Sequence, residues 1–304
     1  MNSANVMRIV TRPDFDGIVC AILLSEAFDI SEPIKWVEPN AMQRGFVEIR
    51  EGDIIANLPY NDKCSLWFDH HYTNRIDGAF EGVFKIAPSA ARLIFDHYKE
   101  RFKRDYSELV TAADRIDSAD LTLDEVLHPE KHGFILLSMT VVNGNGFDEA
   151  YWNNLVELLR EFNITQVLED ADVRKRCDDV ITQNEKYALY LNQHTRLNDH
   201  VSITDFRILE KIPAGNRFLV YSLFPDSVVN VRIRYEDKDK EIVVVNVGHS
   251  IFNPHCNVNA GLLLADFEGG GHRGAASARF HVSKAEVYIS KIIDALVKNE
   301  NNEI

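Results

Sequence analysis

The stretch that most constrains this chain is Leu66-Trp67-Phe68-Asp69-His70-His71. An apolar run of strand character stops abruptly on an acid and two imidazoles, and the end of a buried strand is where a parallel sheet delivers its chemistry. A fold that accommodates the stretch must bring partners to three polar side chains at one strand tip.

The flanking sequence has the makings of such a sheet. Residues 8–11 read as a short buried strand, and residues 17–28 as a helix apolar nearly all round, hence covered on both sides. Residues 34–37 and 53–57 read as further strands, the second stopped by Pro59. After the strand at 66–68 come helical patterns at 89–98 and 106–116. Strands alternating with helices predict an α/β fold with a doubly wound, mainly parallel sheet.

From residue 147 to about 193 the pattern is helical and richly charged, with a break at Asn163. After Leu197-Asn198-Asp199 it turns to β, with strands predicted at 201–205, 217–223, 228–235 and 241–247 and a hairpin turn at Asp237-Lys238-Asp239-Lys240. A helix at 258–267 and a strand at 276–282 follow. The change of character predicts two domains, 1–195 and 196–304, the second a smaller α/β domain. A chain of 304 residues, 45% hydrophobic, is long enough for two cores.

Acids and glycines mark where chemistry would sit. Residues two apart in an extended segment project to one side, so Asp14 and Asp16 can enter one site at the end of the first strand. Two acids held that close repel unless a cation lies between them, although the same residues also suit a turn that caps the next helix. By the strand-end rule Asp14, Asp16, Asn57, Asp69, His70 and His71 converge. Asp114 and Asp117 share a helix face, a spacing equally suited to a solvated acidic surface. Further on, Gly269-Gly270-Gly271-His272-Arg273 lets the backbone approach an anion while His272 and Arg273 add positive donors; a plain turn uses glycines as well.

Charge and composition narrow the partners. A net charge of −14 excludes the counterion-releasing grip by which proteins hold long duplex nucleic acid, but leaves room for a small anion where local cations or a metal overcome the repulsion. No apolar run reaches the length of a membrane span, and the start lacks a basic segment followed by an apolar one. The four cysteines lie far apart, without a C-x-x-C pair. These features predict a cytoplasmic protein without a disulfide framework or a membrane partner.

Taken in order, Asp14-Phe15-Asp16-Gly17, Asp69-His70-His71, Asp114 and Gly269-Gly270-Gly271-His272 resemble the motifs of the DHH phosphoesterase superfamily with its DHH-associated C-terminal domain, over nearly the whole chain. The resemblance implies an N-terminal α/β domain with a site for one or two divalent ions, Mn²⁺ or Mg²⁺. It also implies a C-terminal domain that closes over substrate across a cleft. The implied reaction is hydrolysis of a phosphoester in a small phosphorylated nucleotide or short oligonucleotide by metal-activated water. Alternatives on the same scaffold are an exopolyphosphatase acting on polyphosphate and a nucleotide-binding regulator with weakened catalysis. A homodimer is compatible with the family.

Position by position, the resemblance assigns metal ligation to Asp14, Asp16, His70 and Asp114, orientation of the histidines to Asp69, and a substrate phosphate to His71. Two positions depart from the family pattern. Its histidine two or four residues before the first aspartate falls on Arg12 or Val10, and its metal-bridging aspartate falls on Asn57, with Asp53 as the alternative register. The expectation is one well-held metal, with Asn57 as a neutral ligand, a second ion bound weakly or not at all, and Arg12 supplying charge in its place. Phosphate or nucleotide contacts are assigned to Arg232, Gly270, Gly271, His272 and Arg273.

Overall fold

A computed structural model describes residues 6–141 and 146–303 of the chain. The chain divides into two compact units, residues 1–121 with 129–178, and residues 122–128 with 179–304.

The first unit opens with β1 (Arg8–Thr11), α1 (Phe15–Ala27), β2 (Lys35–Trp36), α2 (Pro39–Gln43), β3 (Asp53–Ala56), β4 (Leu66–Asp69) and β5 (Gly82–Phe84). These strands form a five-stranded sheet in the order β2-β1-β3-β4-β5, every neighbouring pair parallel. The doubly wound sheet expected from the alternation is present. Its strand order reverses at β1 and β3, and a ligand of an open α/β sheet binds outside the carboxyl ends of the strands at that point. Asp14, Asn57 and Asp69 therefore stand where the topology leaves a crevice.

The side chains explain why β4 is the anchor. Trp67 and Phe68 are fully buried. Trp67 stacks on Phe84 at 5.2 Å between ring centroids, meets Phe80 edge-on at 4.9 Å, and donates its indole N–H to the Leu58 carbonyl at 2.9 Å. Such a strand cannot slip by one residue without turning its aromatic side chains into the wrong layer, so the position of Asp69 is set by packing.

Helices α3 (Ala90–Tyr98), α4 (Ser107–Asp117), α6 (Gly133–Val141), α7 (Glu149–Glu161) and α8 (Ile164–Glu169) complete this unit, with α5 (Leu123–Leu127) between α4 and α6 in sequence but counted with the second unit. Helix α1 is buried without interruption from Phe15 to Leu24, because β1 and β3 line one side of it and α3, α4 and α7 the other. Gly17 makes that approach possible. A Cβ there would lie 1.9 Å from the Arg12 carbonyl oxygen, so only glycine lets the helix start so close to the loop that carries Asp14.

The long helix α9 (Ala171–His194) ends where β character begins. The expected boundary near residue 196 rests on that change of character; the contacts divide earlier, after Asp178, inside the helix. The second unit contains β6 (Thr195–Asn198), β7 (Val201–Asp205), α10 (Leu219–Leu223), β8 (Val229–Tyr235), β9 (Ile242–His249), α11 (Ala260–Ala265), β10 (Gly269–His272), β11 (Ala275–His281) and α12 (Ala285–Lys298). Its six strands run in the order β10-β11-β9-β8-β7-β6, antiparallel except for β7 against β8. Alternate residues Val229, Val231, Ile233, Val243, Val245, Val247, Ala276, Ala278 and Phe280 share one apolar core with Ile289, Ile292, Ile293 and Leu296 of α12. The other face of the sheet carries mainly polar side chains, with Val244 among them.

Two local expectations are corrected. Residues 217–223, expected as a strand, contain helix α10; the Asn216 carboxamide accepts the Phe218 N–H at 3.0 Å and starts a turn that an apolar run alone does not reveal. The glycine-rich segment, expected as a turn, is edge strand β10, paired residue for residue with β11. No helix among the described residues is long and apolar enough to cross a membrane.

The Gly17 contact gives a direct test of this packing. Gly17→Ala is expected to cost about 1–3 kcal/mol of stability through forced displacement of the 12–14 loop. A lowered thermal midpoint in calorimetry would register it, and an unchanged midpoint would show that the loop yields freely.

Candidate active site

Five segments of the first unit meet at the carboxyl end of its sheet. Asp69 is the last residue of β4, and its carboxylate is fully committed: Oδ1 accepts from the His70 N–H at 2.9 Å and pairs with His71 Nδ1 at 2.8 Å, while Oδ2 accepts from Asn74 Nδ2 at 2.7 Å. It braces the His70 backbone and the His71 ring. The Asp69 hydrogen bond raises the His71 pKa above the ordinary imidazole value, against the opposing effect of burial. His71 is thereby favoured as a cation with Nε2–H as its unoccupied donor.

His70 is arranged differently. Its Nδ1 lies 3.0 Å from the Ala87 carbonyl, which accepts only from N–H, so in the neutral ring the lone pair is on Nε2. That Nε2 is buried and without a hydrogen bond. It stands 3.3 Å from Asp117 Oδ2 and 3.8 Å from Asp16 Oδ2. Ligand atoms of Asp16, His70 and Asp117 all lie within 4.8 Å of one another, as do those of Asp69, His70 and His71.

Asp16 is a buried carboxylate held from behind. Its oxygens accept the Ala90 and Ala91 N–H groups at the start of α3, each at 2.9 Å. Burial, then the charges of Asp117 and Asp14, push its pKa far above the usual carboxylate range. Asp14 caps α1 by accepting the Gly17 N–H at 2.8 Å, so the helix-cap reading of this residue holds alongside any ligand role. Burial raises its pKa to about 6 despite the Arg12 guanidinium beside it. Acids so destabilised as anions, around an imidazole lone pair with no donor, are the donor set for a divalent cation. The residues present fit one: a buried nitrogen acceptor of the right tautomer faces two carboxylates, and its other nitrogen is braced by a carbonyl, as in metal-ligating histidines.

The structure does not bring Asp114 to this group. Its Oδ2 takes a forked pair of hydrogen bonds from Arg92, at 2.9 and 2.7 Å, and Oδ1 accepts from Ser89 Oγ at 2.6 Å. Asp114 thus ties α4 to the start of α3, and Asp117, one turn on, points at His70 instead. The sequence places both on one helix face; in the structure Asp117 is the one whose carboxylate reaches His70 Nε2, at 3.3 Å. A usable signal is that Asp117 closes a helix, where the dipole disfavours an acid, so another interaction must hold it there. Asp53 is also removed as a candidate, because it lies at the opposite end of β3 in a two-bond pair with Arg8 at 2.8 and 2.6 Å.

Asn57 follows β3 with a left-handed backbone, φ +56°. Its Nδ2 donates to Asp14 Oδ1 at 2.9 Å, and its own Oδ1 is buried without a donor. Arg12 meets Asp14 Oδ2 through Nε at 3.0 Å.

In the second unit the register aligns Gly270, Ser277, Asn246, Arg232, Thr204 and Thr195 in one row across the strands. This row lies on the face opposite the apolar core. Asn246 donates to Ser277 Oγ at 3.0 Å, and Arg232 has a buried Nε with no partner. His272, exposed, falls in the neighbouring row with Gly248 and Asn230. Gly271 does not join them: at φ +149° its Cβ would strike Ala276, so its glycine serves the β10–β11 hairpin. Arg273 is bound to Glu303 and to the Asn257 carbonyl at 3.3 Å. Of the expected contacts, Arg232, Gly270 and His272 share a face; Gly271 and Arg273 are engaged elsewhere.

Over 97% of this chain and 100% of its own, with 31% identity and a TM-score of 0.84, the structure matches a pGpG-specific phosphodiesterase, PggH from Vibrio cholerae. The chain belongs to the DHH phosphoesterase superfamily. As a DHH phosphoesterase it is a hydrolase. RecJ from Thermus thermophilus in complex with Mn²⁺ shares the fold at a TM-score of 0.61 and 12% identity, over 98% of this chain and 53% of its own. An exopolyphosphatase-related protein from Bacteroides fragilis does so at 0.53 and 10%, over 97% and 93%. No protein-family model and no curated protein matches the chain.

The geometry of this DHH phosphoesterase yields two expectations. Asp117→Asn should weaken Mn²⁺ binding roughly a hundredfold or more, the upper end of what even a ligand's outer partners cost, while Asp114→Asn lowers stability and keeps the ion. Because a metal needs its carboxylates ionised, the raised pKa of Asp16, caused first by burial and then by the charges of Asp117 and Asp14, should make Mn²⁺ bind more weakly as the pH falls below neutrality. Isothermal titration calorimetry measures both, and a pH-independent affinity would contradict the assignment.

Proposed function

We propose that this DHH phosphoesterase hydrolyses the phosphodiester of a short linear dinucleotide of the pGpG type, adding one water to release two mononucleotides. The observation that carries the reading is the match to PggH along essentially the full length of both chains. Such charged nucleotides are confined to the cytoplasm, which is where the enzyme would act.

In this reading Asp16, His70 and Asp117 hold a divalent cation, Mn²⁺ or Mg²⁺. When bound, such an ion lowers the pKa of a water and offsets charge on phosphoryl oxygens. The chain does the positioning. Ala90 and Ala91 fix the Asp16 carboxylate, Ala87 fixes the His70 tautomer, and Asp69 favours the charged form of His71, whose Nε2–H would donate to a phosphoryl oxygen. No protein nucleophile is needed.

The row through Arg232 is proposed as the nucleotide-binding surface. At strand spacing its accessible part, from Gly270 through Ser277 and Asn246 to Arg232, spans about 14 Å and carries a single cation beside a hydroxyl, an amide and a glycine, while Thr204 is buried. A polyphosphate would need a continuous basic track; a dinucleotide, rich in amide and carbonyl edges and with fewer charges along its length, is the better match.

The test is turnover by the purified protein with Mn²⁺ of pGpG, other dinucleotides, tetranucleotides, 3′-phosphoadenosine 5′-phosphate, pyrophosphate and polyphosphate. Dinucleotides are expected to lead the other classes by tenfold or more, and activity should vanish in His70→Ala and Asp117→Asn. Tight dinucleotide binding with no turnover would instead establish a regulator.

A further inference from the structure

We propose that this centre works with a single divalent cation, and that Arg12 and the Asn57 amide occupy the place of a second one. The inference rests on the phosphoesterase reading only in taking the acid cluster as a metal site. It is carried by the way Asp14 is already satisfied. Its Oδ1 accepts two donors, the Gly17 N–H at 2.8 Å and Asn57 Nδ2 at 2.9 Å. Its Oδ2 faces the Arg12 guanidinium at 3.0 Å. Oδ1 has its lone pairs filled, and a cation approaching Oδ2 would have to displace a like charge.

The Asn57 side chain has one workable orientation. Turned over, its carbonyl oxygen would confront the Asp14 carboxylate, so the amide must present its NH₂ and neutralise Asp14 as a donor. A carboxylate at this position would repel Asp14 and call for a cation between them. The amide removes that demand.

Charge balance points the same way. Asp14, Asp16 and Asp117 bring three negative charges to a largely buried site, and Arg12 returns one positive charge. One divalent ion leaves the group neutral. A second would leave a surplus of two positive charges beside Arg12, and burying an unpaired charge is costly. Arg12 cannot lower the pKa of a water, but its planar fork can hold phosphoryl oxygens without being lost to a chelator.

The experiment is titration of Mn²⁺ into the full chain, read by calorimetry and by electron paramagnetic resonance. The expected result is one ion per chain with the spectrum of an isolated Mn²⁺, and in the double variant Arg12→Ala, Asn57→Asp two ions with a spin-coupled spectrum. Two ions of comparable affinity in the unmodified protein, or a double variant that folds and still takes only one, would overturn the proposal. Should the double variant fail to fold, the stoichiometry of the unmodified protein decides. One bound ion without turnover of any nucleotide would uphold the single-cation centre and discard the phosphodiesterase reading instead.

Discussion

The first unit depends on the mutual repulsion of acids that its own fold forces together. Asp16 and Asp117 flank a buried imidazole lone pair, with Asp14 adjoining. Unit charges 4 Å apart repel by about 4 kcal/mol even at the moderate dielectric of a protein margin. Hydrophobic packing overrides this: Trp67 and Phe68 bury β4, the all-round apolar α1 buries the Asp16 turn, and neither can retreat without opening the core. The protein is therefore folded around a repulsion that a bound cation or protonation of a carboxylate relieves, and stability and chemistry are coupled through the same acids.

Around that cluster the remaining polar groups act as braces. Ser89 caps α3 and holds Asp114, Arg92 holds Asp114 from the same helix, and the first N–H groups of that helix hold Asp16. One helix start thus fixes both a candidate ligand and the helix that bears the other. The centre's geometry is set by backbone donors and short side chains rather than by long flexible ones, which suits a site that must keep its shape while empty of charge compensation.

How much could be read beforehand follows from which interactions are local. The parallel sheet, the two cores and the polar tips after β1, β3 and β4 were legible because period, strand ends and helix starts are written within short windows. Asp114 and Asp117 could not be told apart in that way. The difference between them is made by Arg92 and Ser89, more than twenty residues away on another helix. Gly271 shows a related limit: glycine marks close approach, but whether to a ligand or, as here, to Ala276 is a tertiary fact. The polar row of the second sheet was half visible, as Arg232 on an alternating strand. Its companions Asn246 and Ser277 emerge only once register joins three strands.

The left-handed backbone of Asn57 has a consequence for inheritance. At φ +56° asparagine and aspartate are the side-chain-bearing residues that fit with little strain, and they differ there by one terminal atom. Substitution at this position is channelled toward amide or acid, and an acid would exchange the Asn57–Asp14 hydrogen bond for repulsion that a cation must relieve. Lineages of this architecture can therefore cross between differently charged centres by small steps, and the order of the steps matters. An acid gained at 57 while Arg12 is present is a tolerable intermediate, whereas Arg12 lost beside the amide leaves Asp14 without a countercharge.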